Sequence, residues 1–163
     1  PLQSRLFSVH EFLAELRLSA SLEADIRGFT LKVSNVDPSL AVDVERDLLL
    51  AAAGNLLQNA FKFSHPHTEI TVNAYAVADR ILIDVEDRCG GLPSGDAEKM
   101  FLPFTQQAQD RSGLGLGLTI SRTCIVANAG VLSVRKVPGT GCVFTIDLPR
   151  HALGDEPTVF AGQ

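Results

Sequence analysis

Residues 55–64 read NLLQNAFKFS and close the longest helical pattern of the chain, which is predicted from Asp43 to Phe63. Apolar residues form one stripe along this helix, and Asn55, Asn59 and Lys62 form a second stripe about 110° away. Asparagine costs about half a kcal/mol against alanine inside a helix. Amide oxygens suit a hard cation such as Mg²⁺, and an ammonium group suits phosphate. The polar stripe is therefore a candidate ligand-binding face, with an ordinary solvated face as the alternative.

The chain as a whole has the composition of one ordinary globular domain. It has 163 residues, of which 45% are hydrophobic and 20% charged, and its net charge is −5. An acidic chain offers no basic face for a nucleic-acid backbone, so no nucleic-acid partner is expected. The longest apolar run, Leu48 to Ala53, is far shorter than the roughly 20 residues of a membrane span. We therefore expect no direct membrane contact by this chain.

The 3 cysteines, Cys89, Cys124 and Cys142, show no metal-ligand spacing. An odd number of widely separated cysteines is typical of reduced thiols that fill packing roles. This usage favours a cytoplasmic location, and leaves open whether the full-length protein is attached to a membrane.

Helix and strand signals alternate irregularly along the chain. Ser8 caps a predicted helix that Arg27-Gly28 ends, Ala78-Asp79 joins a hairpin, and a later helix reaches Ala127. Strand-like patterns cover 30–36, 40–42, 68–77, 80–87, 131–137 and 142–148. Neighbouring hairpins mixed with helices predict an α+β fold or a two-layer sandwich. We expect one domain over residues 1–150 and a linker or tail over residues 151–163.

A second candidate cluster follows the strand predicted at 80–87. Asp87 ends an apolar run and glycines follow at once, so its carboxylate can form the floor of a pocket while Gly91 lets the chain pass close to a flat ligand. An ordinary turn between a strand and a loop is the alternative.

A third cluster, Gly113-Leu114-Gly115-Leu116-Gly117, opens the helix that reaches Ala127. Backbone N–H groups and the helix dipole make such a start suitable for a phosphate-sized anion. The dinucleotide fingerprint does not fit, because Leu118 occupies the position of its third glycine, and a Walker loop is excluded because the chain contains no Gly-Lys pair.

Taken in order, these clusters resemble the catalytic domain of sensor histidine kinases over residues 30–150. Residues 55–64 resemble the N box, 87–91 and 113–118 the first two glycine boxes, 101–104 the F box, and 139–149 the third glycine box. The resemblance implies the Bergerat ATP-binding fold shared with gyrase, heat-shock chaperones and mismatch-repair ATPases. That fold is a two-layer α/β sandwich, in which a mixed, mostly antiparallel sheet carries about three helices on one face and ATP lies under a lid.

The resemblance also implies the roles of individual residues. Asn59 would hold Mg²⁺, Lys62 would meet the phosphates, Phe63 would lie against the adenine, and Asp87 would accept a hydrogen bond from its exocyclic amine. The lid would span residues 101–115. The implied ATP-binding set is Asn55, Asn59, Lys62, Phe63, Asp87, Gly91, Phe104, Arg111, Gly113, Leu114, Gly115, Leu116, Gly117 and Cys142. Two positions depart from the family pattern: Cys89 replaces a glycine, and Cys142 replaces a small hydroxyl residue.

None of the four histidines lies in a phosphoacceptor pattern of His-Glu and a nearby proline, so His10, His65, His67 and His151 are predicted to be surface residues. The resemblance implies a protein-histidine kinase that phosphorylates a histidine on its own dimerisation domain, expected upstream, with a response regulator or receiver domain as the next partner. Two alternatives stay open. One is a degenerate nucleotide-binding or docking module, and the other is an ATPase or protein-serine kinase of the same fold, whose members tend to carry glutamate at the position of Asn55.

Overall fold

The computed structural model describes residues 3–88, 114–139 and 141–154, with the backbone alone for residues 114–116. Three helices and eight strands follow one another in the described part. They are β1 (Arg5–Ser8), α1 (Val9–Arg27), β2 (Thr30–Val33), β3 (Leu40–Val44), α2 (Arg46–Phe63), β4 (Glu69–Val77), β5 (Arg80–Glu86), α3 (Leu114–Ala127), β6 (Val131–Val137), β7 (Gly141–Pro149) and β8 (His151–Ala152). The predicted α+β class is confirmed.

The strands form two sheets. The larger has the order β2-β4-β5-β7-β6, and the smaller has the order β1-β3-β8. Only the β2–β4 pair is parallel among the described pairs. A mixed, mostly antiparallel arrangement is therefore confirmed.

The core lies between the helices and one face of the larger sheet. Alternate residues of β5 and β7 are buried there because successive side chains of a strand point to opposite faces. These residues are Ile81, Ile83 and Val85 on β5 and Phe144, Ile146 and Leu148 on β7. They pack with the apolar stripes of the helices in one continuous cluster.

Helix α1 begins and ends where the sequence predicts. The Ser8 hydroxyl accepts a hydrogen bond from the backbone N–H of Glu11 at 3.2 Å, which satisfies one donor of the first turn. Gly28 ends the helix with φ +82°, a left-handed conformation that glycine adopts without steric cost.

Helix α2 begins at Arg46, three residues later than the sequence predicts. Asp43 and Val44 instead extend β3, where they pair with Leu6 and Arg5 of β1. The prediction was wrong because this pairing partner lies far away in sequence. Glu45 becomes the N-cap, and its carboxylate accepts from the backbone N–H of Asp47 at 3.1 Å.

The strand predicted at 30–36 is shorter than expected, since β2 ends at Val33. The first two residues of the segment predicted as a tail, His151 and Ala152, form β8 and pair with Ala41 and Leu40. Among the described residues, no helix combines the length and hydropathy needed to cross a bilayer.

Candidate functional site

The Asp87 side chain lies at the end of β5 and is only 5% exposed. Its backbone N–H donates to the carbonyl of Cys142 on β7 at 3.0 Å, and the backbone N–H of Cys142 donates to Asp87 Oδ1, also at 3.0 Å. The Cys142 thiol lies 3.4 Å from Oδ2 and 3.6 Å from Oδ1, as a further donor. The carboxylate is therefore held in one orientation by the neighbouring strand.

Gly141 makes the close approach of β7 to Asp87 possible. A Cβ atom at position 141 would lie 2.2 Å from the carbonyl oxygen of Asp87 and 2.6 Å from Oδ1. No side chain fits at those distances, so the position requires glycine. Gly141 belongs to the predicted third glycine box but is not among the predicted site residues, although the motif Gly139-Thr140-Gly141 was the available signal.

Asp84 provides a contrast within the same strand. It is 9% exposed, and it accepts hydrogen bonds from the Tyr75 hydroxyl at 3.0 Å and from Thr145 Oγ1 at 2.6 Å. Burial, and next the hydrogen bond to Asp84, raise the pKa of Tyr75. Because Asp84 and Asp87 are an odd number of residues apart, they face opposite sides of the sheet. Asp84 thus belongs to a side-chain network away from the core face.

The polar stripe of α2 lies at the border of the core. Asn55 and Asn59 are half-buried, whereas Leu56 and Ala60 beside them are buried. The helix therefore presents the amide side chains along one edge of its apolar face, as the spacing predicts.

The last turn of α2 places a cation beside an aromatic ring. Lys62 is exposed, and its ammonium nitrogen lies 5.8 Å from the ring centroid of the half-buried Phe63. The aromatic ring thus sits between the core and the charged end of the stripe.

The end of α2 is joined to the end of β5. The backbone N–H of Arg88 donates to the Ser64 hydroxyl at 3.2 Å, and the backbone N–H of His65 donates to the Arg88 carbonyl at 3.2 Å. These bonds fix Asp87 next to the carboxyl end of α2. Ser64 is not among the predicted site residues, although it is the last residue of the polar stretch 55–64.

Helices α2 and α3 lie side by side and antiparallel, and two side chains join them. Asn128 Oδ1 accepts from the backbone N–H of Glu45 at 2.8 Å, and Ser121 Oγ donates to the carbonyl of Ala52 at 3.5 Å. The second contact is seven residues further along α2 and seven residues back along α3. A further step of the same size along both helices would place the start of α3, at Leu114, near Asn59. The N–H groups of that first turn have no partner within the helix.

The predicted site residues divide into two sets. The structure describes the side chains of six of them, which are Asn55, Asn59, Lys62, Phe63, Asp87 and Cys142. It describes the backbone of Leu114, Gly115 and Leu116, and it places Gly117 in the first turn of α3. A Cβ at Gly117 would meet nothing within 4 Å, so packing of the described residues does not demand glycine there. Gly91, Phe104, Arg111 and Gly113 lie outside the described residues, as does Cys89.

Three of the four histidines are exposed as predicted, and the fourth is an exception. His10, His65 and His67 are exposed. His151 is half-buried, because it belongs to β8 and pairs with Ala41.

Comparison with known proteins gives a consistent result. The family model described as histidine kinase-, DNA gyrase B-, and HSP90-like ATPase matches residues 44–152. The alginate biosynthesis sensor protein KinB of Pseudomonas aeruginosa is 32% identical over 78% of this chain and 21% of its own length. The sensor histidine kinase CpxA of Escherichia coli is 32% identical over 92% of this chain and 33% of its own length.

A solved structure shares the fold. The catalytic domain of histidine kinase ThkA superposes with a TM-score of 0.80 at 20% identity, over 91% of this chain and 96% of that one. This chain therefore spans nearly all of a solved catalytic domain but a third or less of the two sensor proteins. It belongs to the family of histidine kinase-, DNA gyrase B- and HSP90-like ATPases, and it corresponds there to the catalytic ATPase domain of sensor histidine kinases.

Proposed function

We propose that this chain binds ATP together with Mg²⁺ and transfers the γ-phosphoryl group to a histidine on an adjoining dimerisation domain. The observation that carries the proposal is the convergence of three elements. The buried Asp87 carboxylate is bonded to β7, and the strand end that carries it is bonded to the end of α2. Helix α3 is bonded to α2 near its end and at its middle, so its first turn would lie near the polar stripe.

The adenine end of the site would be formed around Asp87. A buried carboxylate is a strong acceptor for an amine, because the low local dielectric strengthens a charge-assisted hydrogen bond. Cys142 fixes the carboxylate, and Gly141 gives the close approach of strands that places it. Phe63 would offer its ring to the base, and Gly91 would let the following loop pass near it.

The phosphate end would be formed by α2 and the start of α3. The amide oxygens of Asn55 and Asn59 suit a hard cation, so they would hold Mg²⁺, with Asn59 as the main ligand. When bound, Mg²⁺ neutralises phosphate charge as it does in other phosphoryl-transfer sites. Lys62 would contact the phosphates through its ammonium group, and the backbone N–H groups from Leu114 to Gly117 would bind phosphate oxygens. We also assign phosphate contact to Gly113 and Arg111 and a lid position to Phe104.

The chemistry favours transfer over hydrolysis. A general base beside the γ-phosphate would activate water, but the amide of Asn55 cannot accept a proton at neutral pH. The attacking nucleophile would therefore be a histidine that is activated on another domain. Positioning and charge neutralisation account for most of phosphoryl-transfer catalysis, and the residues of this chain would supply both. We place the domain in the cytoplasm, with a response regulator or receiver domain as the next phosphate acceptor.

The substitution Asp87→Asn tests the adenine assignment, and Asp84→Asn is its matched control in the same strand. We expect Asp87→Asn to weaken ATP binding about 10- to 100-fold, or about 1.5–3 kcal/mol, because a charge-assisted bond is lost. Asp84→Asn should leave the affinity unchanged, since Asp84 binds Tyr75 and Thr145 on the other face. Titration with a fluorescent ATP analogue measures both. Equal affinities for wild type and Asp87→Asn would overturn the assignment.

A further inference from the structure

Strand β2 forms one edge of the larger sheet, and its outer backbone groups face away from the neighbouring strand. The N–H of Thr30 donates to Thr68 and the N–H of Ser34 donates to Val72, so these residues face β4. The backbone N–H and C=O groups of successive residues in a strand point to opposite lateral sides. The N–H and C=O groups of Leu31 and Val33 therefore point away from β4. In the described ranges no strand pairs with that side. An edge of this kind is a ready template for another strand.

A groove runs between this edge and the flank of α1. At the carboxyl end of β2 it widens into a hollow of about 330 Å³, whose lining includes Leu13, Leu18 and Val33 and is mainly apolar. At the amino end of β2 it widens again into a hollow of about 300 Å³, whose lining includes Ser21 and Asp25 and is mainly polar. The groove thus changes from apolar to polar along its length.

Arg17 lines both hollows and therefore lies at the middle of the groove. It is exposed, and within the described part of the chain its guanidinium group enters none of the ion pairs, which involve other arginines and Lys32. Leu18 lies at the apolar end of the groove, and its side chain is 78% exposed, more than any other large apolar side chain described. The groove accordingly offers an apolar contact, a positive charge and a negative charge in that order.

We propose that this groove binds an extended segment of a separate protein, which adds to the sheet as a strand antiparallel to β2. Antiparallel pairing is the slightly more stable arrangement. Alternate side chains of the segment would face α1. An apolar side chain would enter the hollow beside Val33, an acidic one would meet Arg17, and a basic one would meet Asp25. The step from Thr30 to Ser34 is four residues, which span about 13 Å in a strand. A segment paired with this length of β2 would place every second side chain toward α1, so it would follow the pattern apolar-x-acidic-x-basic.

The probe for this proposal is the peptide acetyl-Thr-Leu-Thr-Glu-Thr-Lys-Thr-amide, titrated into the ¹⁵N-labelled chain. We expect saturable shifts of the backbone N–H signals of Leu31 and Val33 and slower hydrogen exchange at both, with a Kd below about 1 mM. Replacing the central Glu of the peptide by Lys should weaken binding about tenfold, since it then faces Arg17. The chain variant Arg17→Glu should reverse that preference. Thermal unfolding of this variant should match wild type, because Arg17 is exposed.

Two N-methylated peptides test the backbone part of the proposal without changing the chain. Methyl groups on the Leu, Glu and Lys nitrogens block one lateral side of the peptide, and methyl groups on the Thr nitrogens block the other. Strand addition predicts that only one of the two peptides loses binding.

Three results would overturn the proposal. The first is absence of saturable binding up to about 1 mM. The second is a set of shifts confined to Leu18, Leu22 and Ile26, which would indicate a helix on the exposed face of α1 instead. The third is a set of shifts at Leu31 and Val33 that grows with chain concentration without peptide, which would make a second copy of the chain the occupant.

Discussion

Asp84 and Asp87 lie three residues apart, are both buried, and serve opposite faces of one sheet. The Asp84 network joins β4, β5 and β7 through Tyr75 and Thr145, and it stabilises the sheet. Asp87 instead lies where β5 ends, next to the carboxyl end of α2. The two carboxylates differ because successive side chains of a strand point to opposite faces of the sheet. Asp84 therefore has a structural role, whereas Asp87 is the proposed binding residue.

At the residue scale, we predict that Gly141→Ala lowers ATP affinity, although it substitutes none of the proposed ligand-binding side chains. An added Cβ would overlap the backbone and carboxylate of Asp87, so Asp87 must move. A displacement that breaks its hydrogen bond to the adenine would cost about 1–3 kcal/mol, or roughly 5- to 100-fold in affinity. Titration with a fluorescent ATP analogue measures the change.

Gly54→Ala is the control for that substitution. A Cβ at Gly54 meets nothing within 4 Å, and alanine favours the interior of α2, so this variant should bind ATP normally and unfold at a slightly higher temperature. Normal affinity in Gly141→Ala would mean that the position of Asp87 does not govern binding.

Sequence patterns could predict the local parts of this site and not the long-range ones. The stripe of Asn55, Asn59 and Lys62 follows from helical periodicity, and Asp87 follows from its place after an apolar strand. The local motif Gly139-Thr140-Gly141 marks Gly141, but the reason for glycine there is the approach between β7 and the end of β5, which the motif does not reveal. The same holds for the hydroxyl of Ser64, whose partner is Arg88.

At the element scale, Asn128 connects the two helices that carry the proposed phosphate site. Its Oδ1 accepts from the backbone N–H of Glu45 before α2, and its amide nitrogen donates to the carbonyl of Cys124 in the last turn of α3 at 2.9 Å. The sequence predicts that α3 ends near Ala127, but it does not predict the hydrogen bond between Asn128 and Glu45, because the two residues are 83 positions apart. The pairing of Asp43 with Leu6, 37 residues away in sequence, likewise explains why α2 starts at Arg46 and not at the predicted Asp43.

We predict that Asn128→Ala destabilises the chain by about 1–3 kcal/mol, because the side chain is buried and a backbone N–H loses its partner. ATP affinity should fall as well, since α3 is then less firmly held against α2. Thermal unfolding and nucleotide titration measure the two effects. Asn128→Asp keeps the acceptor for Glu45 and loses the donor to Cys124, so its stability should lie between wild type and Asn128→Ala. An unchanged unfolding temperature in Asn128→Ala would contradict this role.

At the scale of the whole molecule, the four histidines lie in different parts of the fold, and none of them lies in a phosphoacceptor pattern. His10 lies on α1, His65 and His67 follow α2, and His151 is paired in β8. The nearest in sequence to Lys62 is His65, whose backbone is bonded to Arg88. The proposed function accordingly assigns the phosphoacceptor histidine to another domain, and this chain spans a third or less of the two sensor proteins.

We predict that this chain alone neither phosphorylates itself nor hydrolyses ATP at an appreciable rate. A general base contributes about 10²- to 10⁴-fold to such a step, and Asn55 cannot serve as one. Incubation with radiolabelled ATP, with and without the dimerisation domain of the same protein, measures transfer as acid-labile phosphate. Label on the isolated chain would show that one of its own histidines is the acceptor. Phosphate release that disappears in Asn59→Ala would indicate a true hydrolase, whereas release that persists in that variant would indicate a contaminant.

The smaller sheet has a mechanical consequence. Strands β1 and β8 flank β3 on opposite sides, and Ala41 pairs with Ser8 on one side and with His151 on the other. The described chain enters beside Val44 and leaves beside Ser39, at opposite ends of β3. Tension applied between Arg5 and Leu153 would thus act parallel to β3. Its hydrogen bonds to β1 and β8 would bear the load in shear at the same time, so they would not break one after another. A pull transmitted through a longer protein would reach this sheet before it reached α2, α3 or Asp87.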